Sequence, residues 1–247
     1  MKANTFLKKI FLLIFLSFGI GNVFSQDSIQ NNFTYSNYSA FYYDYEHGVS
    51  NMLSIQDVVR LRYNEKILFS FAWRFHLNQQ VGLGSFYLAV EEWQTNKKWL
   101  AFGVEYEHHE YPAYKIGENQ FALISFFKPW EKVRLGAGFT YRAADLEDKK
   151  VHSPLKWSNE MKELCFIFQA RWDMFELEKW KLVFKLGTYD FMRIQTKDHL
   201  FFEIEQKYAW HENSTLHLGV STALKGISGL VLAVNEFQIE TGLSFQF

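Results

Sequence analysis

Apolar and polar residues alternate along most of the chain with a period of two. In residues 67–77 large apolar side chains occupy every second position, with polar or small residues between them. Residues 97–109 and 132–142 show the same alternation. A period of two is typical of a β-strand, because a helix would scatter both sets of side chains around its axis. The pattern therefore predicts strands in these three segments.

Similar segments recur along the chain and predict an all-β protein of about twelve strands. The other candidates lie at 34–45, 53–64, 81–93, 119–128, 161–173, 179–189, 199–209, 215–224 and 236–247. Each is close to the ~9–11 residues that a tilted strand needs to cross a bilayer. Bacterial single-chain barrels use an even number of strands, and about 10–14 strands fit this pattern. We predict a transmembrane, antiparallel, up-and-down β-barrel.

The last predicted strand carries a resemblance to a known class of proteins. It reads Phe237-Gln238-Ile239-Glu240-Thr241-Gly242-Leu243-Ser244-Phe245-Gln246-Phe247. This segment resembles the closing strand of bacterial outer-membrane β-barrel proteins, which alternates and finishes on a terminal phenylalanine. The resemblance implies recognition by the barrel assembly machinery, with a C-terminal sorting strand formed by Phe237, Ile239, Leu243, Phe245 and Phe247.

A periplasmic C-terminus also predicts where the connections lie, because such barrels have short periplasmic turns and longer external loops. The short turns at 64–66, 95–97, 128–131 and 212–214 then lie inside, and the long charged segment 143–162 lies outside. Two connections do not fit this alternation of short turns and long loops as clearly. Residues 78–80 are short for an external loop, and residues 229–234 are compatible with a loop or with an extra strand.

The N-terminal residues have the three zones of a secretory signal peptide. Three lysines precede an almost wholly apolar stretch at residues 10–20, and a short segment leads into Gln26. The apolar stretch is shorter than the roughly 20 residues of a membrane-spanning helix. We expect residues 1–25 to be a signal peptide, and residues 26–247 to form a single barrel domain in a bacterial outer membrane.

Composition narrows the possible partners. Residues 1–25 hold three of the 26 basic residues and none of the 27 acidic ones, which leaves a net charge of −4 without them. This balance disfavours nucleic acid. The single cysteine, Cys165, forms no internal disulfide and lies far from the cleavage region, so it cannot carry a lipid anchor there. The expected partners are outer-membrane lipid, the barrel assembly machinery and small solutes, and no cofactor is expected.

The aromatic content of 19% distinguishes a membrane barrel from a soluble one. A soluble sandwich or barrel would pack its large apolar side chains inside. A barrel of about twelve strands cannot hold so many of them, whereas a lipid-facing belt can, with Trp and Tyr near the headgroups. The opposite face then carries Gly, Ala, Ser and charges of both signs, which suits a water-filled lumen.

The charged residues of this lumen face form a candidate constriction. They are Arg60, Arg62, Arg74, Glu91, Glu105, Glu107, Arg134, Arg142, Arg171, Lys185, Glu203, Glu205 and Glu240. One interpretation is a cross-strand ion-pair network that fills a narrow interior, because charges removed from water must be paired. The other is a charged constriction that selects solutes. The two overlap, since paired charges can build a constriction.

Neither a metal site nor a catalytic site is predicted. Glu105, Glu107 and His109 share one face, but strand positions two apart are separated by about 6.6 Å, which is awkward for one zinc ion. The adjacent pair His152-Ser153 has no spacing known for a nucleophile, and His217 and Ser221 lie four positions apart on one strand. The residues therefore argue against an enzyme.

The sequence is compatible with three functions. The leading one is a narrow channel or small-solute uptake barrel with a charged lumen. The second is an outer-membrane enzyme that modifies lipid or lipopolysaccharide. The third is a structural or surface-binding barrel that acts through its outer loops, with residues 143–162 as the candidate surface.

Overall fold

The chain folds into a closed, antiparallel, twelve-stranded barrel. A computed structural model describes residues 33–46, 52–77, 82–111, 116–146, 160–190, 193–194, 199–225 and 233–246. The wall strands are β1 (Phe33–Glu46), β2 (Met52–Tyr63), β3 (Ile67–His76), β4 (Gly82–Gln94), β5 (Leu100–Tyr111), β6 (Ile116–Trp130), β7 (Val133–Leu146), β8 (Glu160–Leu177), β9 (Trp180–Gly187), β12 (His199–His211), β13 (Ser214–Lys225) and β14 (Ala233–Gln246). A separate hairpin consists of β10 (Tyr189–Asp190) and β11 (Arg193–Ile194).

The predicted strands all occur, and the predicted closing strand closes the barrel. β14 pairs with β1 from Ser36 opposite Gln246 to Glu46 opposite Glu236. Phe237 and Ile239 point outward and are exposed. Val234 pairs with Leu224, so it belongs to β14 and not to an extra strand. The fold prediction is confirmed.

Tight turns join the strands at one end of the barrel, which we call the short-turn rim. Between β2 and β3, Asn64 and Glu65 have φ values of 48° and 57°. Two successive positive φ values form the turn type that matches the twist of a two-residue hairpin. Lys66 N donates to Tyr63 O at 3.0 Å and closes the turn. The other predicted short turns lie at the same rim, and the opposite end is the long-connection rim.

Apolar side chains cover the outer wall, as the alternation predicts. Phe102, Val104, Phe121, Leu123, Phe139 and Phe166 are all exposed on it. Tryptophans gather near the short-turn rim, and the exposed ones are Trp93, Trp99, Trp130, Trp172, Trp180 and Trp210. An apolar band with an aromatic girdle is typical of a wall that faces lipid, because indole rings favour the membrane interface.

One carboxylate departs from this pattern. Asp57 alternates with the lumen-facing Gln56 and Val58, so its side chain points outward, yet it is only 2% exposed. Ser39 Oγ donates to Asp57 Oδ1 at 2.5 Å, and Trp73 lies opposite Asp57 on β3. Because a bare carboxylate is costly on a lipid face, this shielding by neighbours is what makes the position tolerable.

Several sequence predictions fall outside the described residues. They are the signal peptide at 1–25, residues 78–80, most of the long segment 143–162, and Phe247. Among the described residues, no helix is long and apolar enough to cross a membrane.

Candidate functional site: a charged lumen with an inward hairpin

Every residue of the predicted charged set occupies a lumen-facing position in the strand register. These positions are Arg60, Arg62, Arg74, Glu91, Glu105, Glu107, Arg134, Arg142, Arg171, Lys185, Glu203, Glu205 and Glu240. Glu105 and Glu107 are almost fully buried, and Glu203 and Glu205 are 7% exposed. The lumen is therefore narrow where these carboxylates lie. Their role as a constriction stays a prediction.

A compact ion pair joins β2 to β4 across β3. Arg60 Nε lies 2.6 Å from Glu91 Oε1, and the Ser70 hydroxyl donates to the same oxygen. One carboxylate oxygen thus accepts from two lumen side chains. A charge-assisted contact of this kind is stronger than a neutral hydrogen bond.

Glu92 is a lumen residue that strict alternation misses. The register shifts around Glu91 and Glu92, so both side chains turn inward. Glu92 Oε1 lies 3.6 Å from Lys128 Nζ, and Glu92 Oε2 lies 3.9 Å from Arg134 Nη1. A β-bulge re-aims side chains in this way, and no signal in the sequence marks its position.

A second network crosses β9, β12 and β13. Lys185 Nζ lies 2.9 Å from Glu203 Oε1, and Lys207 Nζ lies 2.9 Å from Glu205 Oε1. His217 Nδ1 approaches the same Glu205 oxygen at 3.0 Å. The interior charges are thus joined from strand to strand, as the ion-pair interpretation expects.

Toward the long-connection rim, two arginines are held by polar and aromatic side chains. Arg142 Nε lies 2.6 Å from Glu118 Oε1, a carboxylate outside the predicted charged set. Arg74 donates through Nε and Nη2 to Gln56 Oε1 at 3.0 and 2.7 Å. The Arg74 guanidinium also lies 4.6 Å from the centre of the Tyr42 ring. Both arginines are therefore fixed in position.

The candidate metal ligands are engaged with protein groups. His109 Nδ1 lies 2.6 Å from Ser85 Oγ, and His109 Nε2 contacts Glu107 Oε1. Glu105 instead accepts a hydrogen bond from Tyr189. No group of three or more His, Cys, Asp or Glu side chains in the described ranges is arranged to hold a metal ion.

The contact between Ser85 and His109 brings together the residue types of an activated nucleophile. Ser85 is only 1% exposed, however, so a substrate carbonyl cannot approach its Oγ in this arrangement. The other candidate catalytic residues form no nucleophile pair among the described residues. His152-Ser153 lies outside the described residues, and His217 contacts Glu205 and Ser244.

The chain leaves the wall at the end of β9 and turns into the lumen. Gly187 permits this, because an added Cβ there would lie 2.9 Å from Gln169 Cα on β8. Thr188 N donates to Phe168 O at 2.9 Å, which anchors the turn to β8. The next residue, Tyr189, is 4% exposed and donates through its hydroxyl to Glu105 Oε2 at 2.8 Å. The predicted strand 179–189 is thus wrong at its end.

This contact spans a large part of the lumen, since β6, β7 and β8 lie between β9 and β5 in the wall. The sequence could not reveal it. Tyr189 fits the alternation of a wall strand, and its partner Glu105 is 84 residues away. Tyr189 is also the first residue of the hairpin β10–β11, where it pairs with Ile194.

The lumen is less polar than the alternation predicts. Two buried clusters occupy it, and they contain Tyr38, Ala40, Tyr42, Val58, Ala72 and Tyr87 on one side and Ala101, Ala122, Ile124, Phe126, Ile167 and Tyr189 on the other. Their aromatic rings fill space that a wide aqueous pore would leave open.

Comparisons with known proteins identify the fold. The KdgM porin, solved in complex with disordered oligogalacturonate, shares 10% identity with a TM-score of 0.52, covering 85% of this chain and 99% of that chain. The NanC porin shares 9% identity with a TM-score of 0.52, covering 85% and 98%. An outer membrane channel from Pseudomonas putida F1 shares 11% identity with a TM-score of 0.52, covering 88% and 97%.

The chain has the fold of the bacterial outer-membrane β-barrels. At such low identities the likeness shows the fold alone. No protein-family model matches the chain, and the comparison with curated proteins gives no match. The fold and the apolar outer wall together support an outer-membrane location for this barrel.

Proposed function

We propose that this outer-membrane barrel is a narrow channel for small solutes. The observation that carries the proposal is a lumen lined by charges of both signs and narrowed by Tyr189, which bonds to Glu105 from the inward turn. Charged rings at a constriction select what passes through a pore. The known porins with the same fold are consistent with this function.

The lining limits the size of the solute. Glu105 and Glu107 are buried, and the rings of Tyr38, Tyr42 and Tyr87 pack within the lumen. An interior filled by these side chains leaves room for at most a small solute or a thin aqueous path. We therefore expect passage of small ions and single small molecules, and exclusion of polymers.

Reconstitution of the purified, folded barrel into planar bilayers tests this function. We expect discrete conductance steps, together with flux of small solutes into proteoliposomes. Boiled, unfolded protein is the control for leakage by denatured chains. A folded barrel that gives neither conductance steps nor flux would show that the channel proposal is wrong.

We also propose export and assembly by the route that the sequence predicts. Residues 1–25 act as a signal peptide, and the sorting strand that includes Phe247 engages the barrel assembly machinery before the barrel contacts outer-membrane lipid. N-terminal sequencing of the protein from outer membranes should begin at Gln26. A mature protein that still contains residues 10–20 would contradict removal of this segment.

The enzyme and surface-binding alternatives have no comparable support. The Ser85 and His109 pair is buried, while His152, Ser153 and most of the candidate surface 143–162 lie outside the described residues. The channel is therefore the function that the described geometry favours.

A further inference from the structure

A groove lies in the outer wall across β2, β3, β4 and β5, and we call it the outer groove. Its volume of about 430 Å³ falls in the range of sites that hold a small ligand. Two register rows of outward side chains line it, and they are Val59, Phe71, Leu88 and Tyr106 in one row and Leu61, Phe69, Val90 and Val104 in the other. Ser70 and Ala89 also line it although their side chains face the lumen, so its floor is the backbone of β3 and β4.

The bulge in β4 contributes to this opening in the wall. Glu91 and Glu92 both turn inward, so the next outward side chain after Val90 is Trp93, three positions further on instead of two. The outer face therefore lacks a side chain at one end of the groove. Leu88 and Val104 are 50% and 45% exposed. The outer groove is thus apolar and accessible from the side of the wall that faces lipid.

The two turns next to the outer groove carry an excess of lysine. The turn between β2 and β3 contains Lys66, and the turn between β4 and β5 contains Lys97 and Lys98, against one acidic residue, Glu65. We call these three lysines the lysine cluster. All three are exposed, and within the described ranges none of them pairs with a carboxylate. Gln94 N donates to Lys66 O at 2.7 Å, which joins the two turns.

The other short turns have no such excess of positive charge. Residues 131–132 and 178–179 each contain one glutamate and one lysine, and residues 212–213 contain one glutamate and no lysine. In the lysine cluster, Lys97 Nζ lies 5.4 Å from the centre of the exposed Trp99 ring. Because indole rings favour the membrane interface, this ammonium group lies at the level of lipid headgroups.

We propose that this face of the barrel binds one anionic phospholipid, with an acyl chain in the outer groove and the phosphate beside the lysine cluster. Basic clusters at a membrane surface attract anionic headgroups. Phe69 in the groove is three positions from Lys66, about 10 Å along the strand, so one lipid can reach both. Since lipid tails are apolar everywhere in the bilayer, the groove contributes close packing of the chain. The site lies outside the lumen and does not depend on conduction.

Native mass spectrometry of the barrel released from detergent micelles tests lipid binding. Dipalmitoyl phosphatidylglycerol should form a saturable complex with one lipid. Dipalmitoyl phosphatidylcholine has the same chains without a net charge, and it should bind at least about tenfold more weakly. Glycerol phosphate has no chain and should not bind detectably. Equal binding of the two lipids, equal binding of glycerol phosphate, or no saturable complex overturns the proposal.

Variants of the turns test the position of the headgroup. The triple variant Lys66→Gln, Lys97→Gln and Lys98→Gln should reduce the affinity for phosphatidylglycerol to that for phosphatidylcholine, because it removes the charge that distinguishes them. Lys132→Gln with Lys179→Gln is the matched control, since it removes lysines from other turns of the same rim. It should leave both affinities unchanged. Unchanged affinity in the triple variant, or an equal loss in the control, overturns the headgroup site.

Variants of the wall test the position of the chain. Val104→Trp fills the outer groove with an apolar side chain and should weaken phosphatidylglycerol binding by about tenfold or more. Val220→Trp makes the same change at an exposed position on β13, outside the groove, and should leave the affinity unchanged. If circular dichroism shows that Val104→Trp does not fold, Leu88→Trp replaces it.

Unchanged affinity in the folded groove variant, or an equal loss in Val220→Trp, overturns the chain site. A dimer of barrels that the groove variant abolishes would assign the outer groove to a second copy of the chain, and it would overturn the proposal as well.

Discussion

Two regions of the lumen use arginine in opposite ways. On β2 to β4, Arg60 lies 2.6 Å from Glu91, and Ser70 completes the environment of that carboxylate. On β7 to β9, Arg134 stands next to Arg171 in register, and its Nε lacks an acceptor among the described residues. The first region is a closed pair, and the second is a row of like charges.

The difference shows that arginine closes an ion pair in one part of the lumen and stands in a row of like charges in another. A closed pair satisfies both partners, so disrupting it leaves an uncompensated charge in a poorly hydrated lumen. A row of like charges is destabilising in itself. Here Glu203, Asp173 and Glu92 offset part of that cost, with Glu92 at the longest distance. We expect mutations of the closed pair to lower stability more than selectivity. We expect mutations in the row of like charges to change selectivity more than stability.

The largest effect should come from reversing the closed pair. Arg60→Glu places a second carboxylate beside Glu91, and we expect a loss of about 3 kcal/mol in the free energy of unfolding, the lower end of the range for a broken buried pair. The lower end applies because the Arg60 side chain is 28% exposed. Urea unfolding followed by tryptophan fluorescence measures it.

The double variant Arg60→Glu with Glu91→Arg is the matched control. It restores opposite charges and should recover most of the lost stability. Equal instability of the single and double variants would show that the pair is not the cause.

A smaller effect on stability is expected in the row of like charges formed by Arg134, Arg171 and Lys185. Arg171→Gln relieves repulsion with Arg134 and Lys185, while Asp173 keeps Lys181 at 2.7 Å. The free energy of unfolding should change by less than about 1 kcal/mol. Anion selectivity should fall, which the reversal potential in a salt gradient measures. A large loss of stability without a shift of the reversal potential would contradict the distinction between the two regions.

The smallest effect should come from the outer wall. Leu218→Val retains an apolar side chain on the lipid-facing surface and should change the free energy of unfolding by less than about 0.5 kcal/mol. The same urea titration provides the value. A loss as large as that of Arg60→Glu would show that the outer wall is packed against protein.

The sequence predicted the barrel well, because alternation directly reports which face of a strand each residue occupies. Arg60, Lys185 and Glu203 could be assigned to the lumen face from the alternation of apolar and polar residues alone, and their side chains lie on that face in the structure. The closing strand could be recognised because its alternation continues to the last residues.

The departures are local and have physical causes. Glu92 enters the lumen through a bulge, and Tyr189 does so because the wall strand ends at Gly187. Asp57 lies on the outer face, where it accepts a hydrogen bond from the Ser39 hydroxyl. None of these features follows from a period of two, since each depends on contacts between residues distant in sequence.

The unit conductance of Tyr189→Ala, compared with the unchanged barrel in planar bilayers, tests the central claim most directly. Tyr208→Ala is the control, because Tyr208 contacts Trp180 on the outer wall. If Tyr189 and Glu105 narrow a conducting path, Tyr189→Ala should conduct more than the unchanged barrel, and Tyr208→Ala should conduct equally. Identical conductance in all three folded proteins, or none in any, would contradict a channel constricted by the inward turn.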